Sequence, residues 1–202
     1  MSPDRLLALR ACCCKEDDLR PLLEQPFGGE WLGEKWICAT NGHMIALVKH
    51  ADPPMVDGAP VLAKVLPKKL LPVYSTTLAA LREWAGVEQF EACEVCGGSG
   101  LLADCPCLNC KFPCPCPECR GGGKWRSLRY GQFGNATINV NYLSIGLLSA
   151  PVDGSVLVAD VFPDRAALIW SGDWACAIMP VVGKNPIEMS QDGFGGLTEI
   201  AP

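Results

Sequence analysis

The sequence predicts an α+β domain of short helices and an antiparallel sheet, into which a small cysteine-built module is inserted. Three observations predict it. Apolar runs of strand length, separated by turns containing Gly or Asn, occur towards both ends of the 202-residue chain. Apolar residues at helical spacing lie beside those runs. Between them, residues 93–123 form an island of Cys, Gly and Pro with too few aliphatic side chains to build a core. Hydrophobic residues make up 49% of the chain and charged ones 19%, which excludes the disordered class. The net charge of −5 excludes a histone-like or ribosomal-type polyanion binder, so any nucleic-acid contact would have to come from a local patch.

Taken in order, residues 3–14 read as a helix with Pro3 near its start and Leu6, Leu7 and Leu9 as its buried side, ended by the polar run Lys15–Asp18. From Trp31 to Lys49 the chain reads as a strand series, turning at Gly33 and at Asn41-Gly42. Pro53, Pro54, Gly58 and Pro60 interrupt it, and Leu62, Val65 and Leu66, then Leu78, Leu81 and Trp84, predict two short helices split by Pro67 and Pro72. After the island, Lys124–Tyr130 and Ala136–Val140 read as strands and Tyr142–Leu148 as a helix. Residues 155–162, 166–170 and 174–179 complete the strands. The expected division is a discontinuous α+β domain (1–56 and 136–184), a helical connector (57–90), a cysteine-rich module (91–135) and a flexible, Gly-rich tail (185–202).

The odd count of 13 cysteines, and an N-terminus whose only apolar run is broken by Arg10, argue against a secreted disulfide scaffold and for a reducing cytoplasm. No stretch approaches 18 uninterrupted apolar residues, so no membrane span is expected. Within the island, Cys93-Glu-Val-Cys96-Gly-Gly-Ser-Gly100 and Cys116-Pro-Glu-Cys119-Arg-Gly-Gly-Gly123 repeat the pattern CxxCxGxG. A two-residue gap lets both sulfurs of such a knuckle reach one tetrahedral ion, and the following glycines let backbone N–H groups turn back to the thiolates. Cys93, Cys96, Cys116 and Cys119 are therefore expected to hold a structural zinc. Cys105, Cys107, Cys110 and Cys114 supply four more thiols, expected to hold a second zinc, although only Cys107 and Cys110 form a knuckle. Free thiols around a single ion, or an iron–sulfur cluster, are the alternatives.

The double CxxCxGxG resembles half of the four-repeat zinc domain of the J-domain co-chaperones, over about 31 residues. That resemblance implies a metal geometry and a protein-interaction module; the J domain and its His-Pro-Asp signature are absent. Lys111, Arg120, Lys124, Arg126 and Arg129, interleaved with Phe112, Trp125, Tyr130 and Phe133, form a basic and aromatic segment. Lys111, Arg120, Lys124, Trp125, Arg126 and Arg129 are its candidate partner-binding or nucleic-acid-binding residues; the alternative is that the cations offset thiolate charge and pack the module.

A second resemblance spans the island. Asp18-Leu-Arg-Pro-Leu-Leu, then Ile37-Cys-Ala-Thr-Asn-Gly-His43-Met-Ile-Ala46, then Ile138-Asn-Val-Asn-Tyr142-Leu, and finally Ala177-Ile-Met179-Pro-Val-Val resemble, in order, segments of the bacterial sliding clamp, the β subunit of the replicative polymerase. The resemblance implies a sliding-clamp-like α+β domain with residues 51–135 as an insertion, and helices that face DNA. Such helices should be basic, yet Asn141–Ala150 carries no Lys or Arg. His43 reads as a turn residue. His50 and Asp52 have no nucleophile near them in sequence, and no Ser-His-Asp, HExxH, P-loop or GxGxxG pattern occurs, so neither an enzyme nor a small-molecule substrate is expected. Cys12, Cys13, Cys14, Cys38 and Cys176 read as small buried hydrophobes, and Trp31, Trp36, Trp170, Trp174, Ile178 and Met179 as sheet packing. The functional expectation is a non-enzymatic zinc-binding adaptor with a clamp-like scaffold, binding a protein partner in a replication or defence context. The alternatives are a DNA-binding accessory acting through residues 111–133, and a phage-type inhibitor of a host replication or CRISPR-type complex.

Overall fold

A computed structural model describes residues 3–13, 23–59, 61–86, 90–102, 114–116, 119, 122–126, 129–134, 136–159, 166–181 and 193–200. Two compact units emerge: Met1–Gly86 with Arg129–Pro202, and Val87–Leu128. In chain order the first part of the large unit contains α1 (Pro3–Arg10), β1 (Phe27–Trp31), β2 (Glu34–Thr40), β3 (Met44–Lys49), α2 (Leu62–Val65), β4 (Pro72–Thr77) and α3 (Leu78–Ala85). The small unit holds β5 (Phe90–Ala92), β6 (Leu101–Leu102), β7 (Cys114–Pro115) and β8 (Lys124–Arg126). The large unit resumes with β9 (Tyr130–Phe133), β10 (Ala136–Asn139), α4 (Val140–Leu147), β11 (Ser155–Ala159), β12 (Ala167–Ser171), β13 (Trp174–Ile178) and β14 (Thr198–Glu199).

Eight strands of the large unit form one antiparallel sheet in the order β1-β2-β3-β13-β12-β11-β4-β14. Two meanders, each preceded by a helix, meet where β3 pairs with β13, from Val48 opposite Trp174 to Met44 opposite Ile178. The hairpin between β1 and β2 turns in two residues, Leu32 at φ 54° and Gly33 at φ 75°. Positive φ at both positions matches the right-handed twist of the flanking strands.

Alternation along the strands sends side chains to two cores. Ile37, Ala39, Met44, Ala46, Val48, Trp174, Cys176 and Ile178 pack on one face with Leu9, Leu78, Leu81, Leu143 and Leu147 from α1, α3 and α4. Trp36, Cys38, Ile45, Leu47, Ala175 and Ala177 face the other way, against Leu62 and Leu66 at α2. A sheet buried on both faces explains why β3 and β13 are apolar at nearly every position. Cys12, Cys13, Cys38 and Cys176 are buried thiols of these cores, and burial pushes Cys12 and Cys38 up to about 12. Cys14 lies outside the described residues.

Several expectations are corrected. Residues 72–77 form a strand paired with β11, not part of a helical connector. Pro72 tolerates the first strand position, the run Tyr74-Ser-Thr-Thr favours extended backbone, and the helix begins only where the Thr77 hydroxyl accepts from Ala80 N at 3.1 Å. The stretch expected as one strand over Lys124–Tyr130 supplies β8 to the small unit and the start of β9 to the large one. Leu7, on the side of α1 away from the core, is 68% exposed, and Met179, one residue past the end of β13, is 53% exposed. Residues 193–200 are seated on the large unit rather than free of it: β14 pairs with β4, and the Phe194 ring lies 5.0 Å from that of Trp84 and 5.6 Å from that of Phe133.

Candidate metal centre

The small unit is organised around Cys93, Cys96, Cys116 and Cys119, whose sulfurs all lie within 4.8 Å of one another. Cys93 Sγ and Cys116 Sγ are 3.8 Å apart, and Cys96 Sγ and Cys119 Sγ are 3.7 Å apart. A tetrahedron of thiolates at a zinc–sulfur distance of about 2.3 Å has an edge of about 3.8 Å, so the spacing fits a four-thiolate ion. None of these cysteines is disulfide-bonded, and Cys93 and Cys116 are fully buried.

The surrounding backbone relates the two knuckles by an approximate two-fold. Gly100 N donates to Cys96 Sγ and Gly123 N to Cys119 Sγ, both at 3.2 Å. Across the pair, Cys93 N donates to Gly123 O at 2.9 Å and Cys116 N to Gly100 O at 2.8 Å. The strands follow the same relation, with β5 pairing with β8 and β6 with β7. Gly123, at φ 71°, is required by this crossing: a Cβ there would overlap Gly98 O.

The electrostatics suit a metal ligand set. Burial opposes ionisation of Cys96, but the Gly100 N–H, the Cys93 and Cys119 sulfurs and the Gly98 N–H outweigh it and bring the thiol down to about 6. Burial dominates at Cys93 and pushes it up to about 11. A metal-free cluster therefore holds thiol and thiolate side by side, and a dication favours ionisation of all four.

The remaining candidates are placed as follows. Cys105, Cys107, Cys110, Lys111 and Arg120 lie outside the described residues. Cys114 sits on β7 opposite Leu102 and is partly buried. Trp125 and Arg126 contribute backbone to β8, with no side-chain geometry described, and Lys124 beside them is exposed. Arg129 belongs to the large unit, where its guanidinium donates to Trp84 O at 3.0 Å. His43 lies in a turn capped by Asn41, whose Oδ1 accepts from His43 N and Met44 N, and its ring stacks on Tyr142 at 5.4 Å. His50 Nδ1 accepts from Asp52 N, a local turn contact. Sequence reasoning passed over Phe194, Leu197 and Ile200, whose spacing of three was the available signal.

Among solved structures, a chain described as a DNA polymerase III β subunit from Eubacterium rectale is similar to this one, with a TM-score of 0.50 and 9% identity over 88% of this chain and 62% of that one. The sliding clamp of Pseudomonas aeruginosa (17% identity, 89% of this chain and 63% of that one, TM-score 0.49) and the polymerase III β subunit of Caulobacter crescentus (13%, 89% and 63%, TM-score 0.49) are similar too. No protein-family model matches the chain, and no curated protein matches it. The chain thus has a sliding-clamp-like fold, with a four-cysteine cluster built to metal-binding dimensions in its small unit. It spans about three fifths of the length of the solved clamps it matches. No helix among the described residues is long and apolar enough to cross a membrane.

Proposed function

We propose that the chain is a non-enzymatic adaptor of the reducing cytoplasm, in which a clamp-like scaffold carries a zinc module that engages a protein partner in a replication or defence setting. The observation that carries the reading is the two-fold cross-bracing of four thiolates at tetrahedral spacing. A unit of this size whose described residues join neither apolar core needs such a closure, and the free energy of metal binding becomes its free energy of folding. Cys93, Cys96, Cys116 and Cys119 would hold the zinc, and Cys105, Cys107, Cys110 and Cys114 a second ion.

Support for a protein partner over DNA comes from the helices. Across α1, α3 and α4 the cations are Arg5, Arg10 and Arg82 and the anions Asp4 and Glu83. Arg5 is held by Asp173 at 2.6 Å, and Arg82 donates to Pro151 O at 2.6 Å and to Val152 O. Little cationic surface is left to track phosphates.

The test starts with elemental analysis of full-length protein prepared without chelator, expected to give one zinc per chain, or two if the second set is filled. Binding to a bacterial protein should then resist salt and be lost in the Cys93→Ser, Cys119→Ser double variant. No transition metal, or retention on DNA that falls steeply with salt and disappears on changing Lys124 and Arg126 to Ala, would overturn the reading.

A further inference from the structure

Residues 193–200 touch the rest of the large unit at three points spaced by three. Phe194, Leu197 and Ile200 are half-buried, whereas Gly193, Gly195, Gly196, Thr198 and Glu199 are exposed. Phe194 stands against Trp84 and Phe133, whose own rings are 5.9 Å apart, and its N–H donates to Gln132 O at 2.9 Å. Leu197 packs on the core beside it. The segment then lies antiparallel to β4, Thr198 opposite Ser75 and Glu199 opposite Tyr74, and Ile200 N donates to Val73 O at 3.0 Å. It therefore occupies the end of the eight-stranded sheet, and without it β4 is an open edge.

We propose that the β4 edge and the Trp84–Phe133 pocket together form a docking surface for an extended peptide of a protein partner, and that the chain's own residues 193–200 fill it as an exchangeable stand-in. The recognition mode is strand addition: backbone pairing supplies affinity, and an aromatic followed by two aliphatic side chains at three-residue spacing supplies specificity. Exchange is favoured because the stand-in holds on weakly. Three half-buried side chains and a two-residue ladder must offset the ordering of a segment with three glycines, the residues that lose most freedom when fixed. A competing peptide has something further to gain. Trp84 Nε1 is buried with no hydrogen-bond acceptor among the described residues, and a carbonyl presented there would pair a donor that the chain's own segment leaves unpaired.

The surface lies wholly within the large unit, so it does not depend on the metal, and metal-depleted protein tests it separately from the adaptor reading. The experiment uses the full chain with either Phe194→Ala, which empties the pocket, or Thr198→Pro, which removes a ladder donor from the segment alone. The probe is a fluorescein-labelled peptide of the sequence GFGGLTEI, read by anisotropy, with a scrambled peptide of the same composition as control. Both variants should bind the probe at least about tenfold more tightly than the unaltered chain, in which the tethered segment competes, and neither should bind the scrambled peptide. Equal binding by variant and unaltered chain, or by probe and scrambled peptide, overturns the proposal. So does loss of cooperative unfolding in both variants, which would make the segment an integral part of the sheet.

Discussion

Replacing Gly123 by Ala and comparing it with Gly97→Ala isolates the crossing of the two knuckles. Both glycines have left-handed backbone, Gly97 at φ 59° and Gly123 at φ 71°, so an Ala at either costs about 1–2 kcal/mol of backbone strain. Their surroundings differ. A Cβ on Gly97 meets nothing within 4 Å, whereas one on Gly123 overlaps Gly98 O and comes within 3.0 Å of Gly98 C and 3.2 Å of Gly100 N. These are backbone atoms that fix the N–H donor of Cys96, so they cannot swing aside as the end of a side chain would. The overlap adds about 1–3 kcal/mol, the usual cost of overpacking. In the proposed zinc module folding is coupled to metal binding, so strain in the folded form would appear as lost affinity, about tenfold for each 1.4 kcal/mol. Gly97→Ala should weaken zinc binding about 5–30-fold, and Gly123→Ala a further 5–150-fold or so. The assay is competition for zinc against a chromophoric chelator, on reduced full-length protein. Gly33→Ala, strained by its φ of 75° but in the large unit, is the control and should leave the zinc affinity alone. Equal losses at Gly97 and Gly123, or a loss at Gly33, would refute the crossed-knuckle account.

In the fraction of metal-depleted protein that keeps the crossed knuckles, Cys96 should be alkylated by iodoacetamide before Cys93 at pH 7, read by mass spectrometry of the digested chain, and the order should vanish once zinc is bound. Its folded value of about 6 lies below the ordinary 9.0, so its contribution to the metal-free module is complete above about 9 and lost as pH falls through 6. Cys93, raised to about 11, contributes in the opposite sense, fully below about 9 and lost as pH rises through 11. Preferential labelling of Cys93 at pH 7 would contradict the geometry. Replacing residues 87–128 with a short Gly-Ser linker should abolish zinc binding and leave a cooperative thermal transition of the large unit; an unfolded product would show that the module is needed for the scaffold to fold.

Much of this was legible because the chemistry is local. A CxxCxGxG knuckle states its ligands and their turn within eight residues, so Cys93, Cys96, Cys116 and Cys119 could be paired before any fold was known. The sheet was legible where a two-residue turn joins alternating or continuous apolar runs, as at Leu32-Gly33 and at Gly172-Asp173. It failed at β4. Tyr74-Ser-Thr-Thr carries little apolar signal, because that strand lies beside an end of the sheet and exposes Val73 and Thr77. The neighbouring Leu62 and Leu66, at helical spacing, drew the whole segment into a helical reading. The strap at 193–200 failed for a related reason. Glycine and polar composition describes what a segment does alone, whereas Phe194 is placed by Trp84 and Phe133, far away in sequence.

The position of the cysteine module follows from how each unit treats its own ends. In the large unit the chain leaves after α3 and returns at β9, and the Arg129 guanidinium on the return donates to Trp84 O on the departure, which keeps the two ends together from within that unit. In the small unit β5 and β8 pair from Phe90 opposite Arg126 to Ala92 opposite Lys124, so entry and exit run side by side there too. Each unit thus presents adjacent ends without help from the other. This is the condition under which an insertion adds little loop-closure entropy to the host and takes its shape from its own cross-links. Both faces of the sheet already carry cores of the large unit, and four thiolates around an ion would need no further apolar surface. The scaffold can therefore stay close to a clamp-like fold whatever shape the module takes, which is the division of labour the proposed adaptor requires.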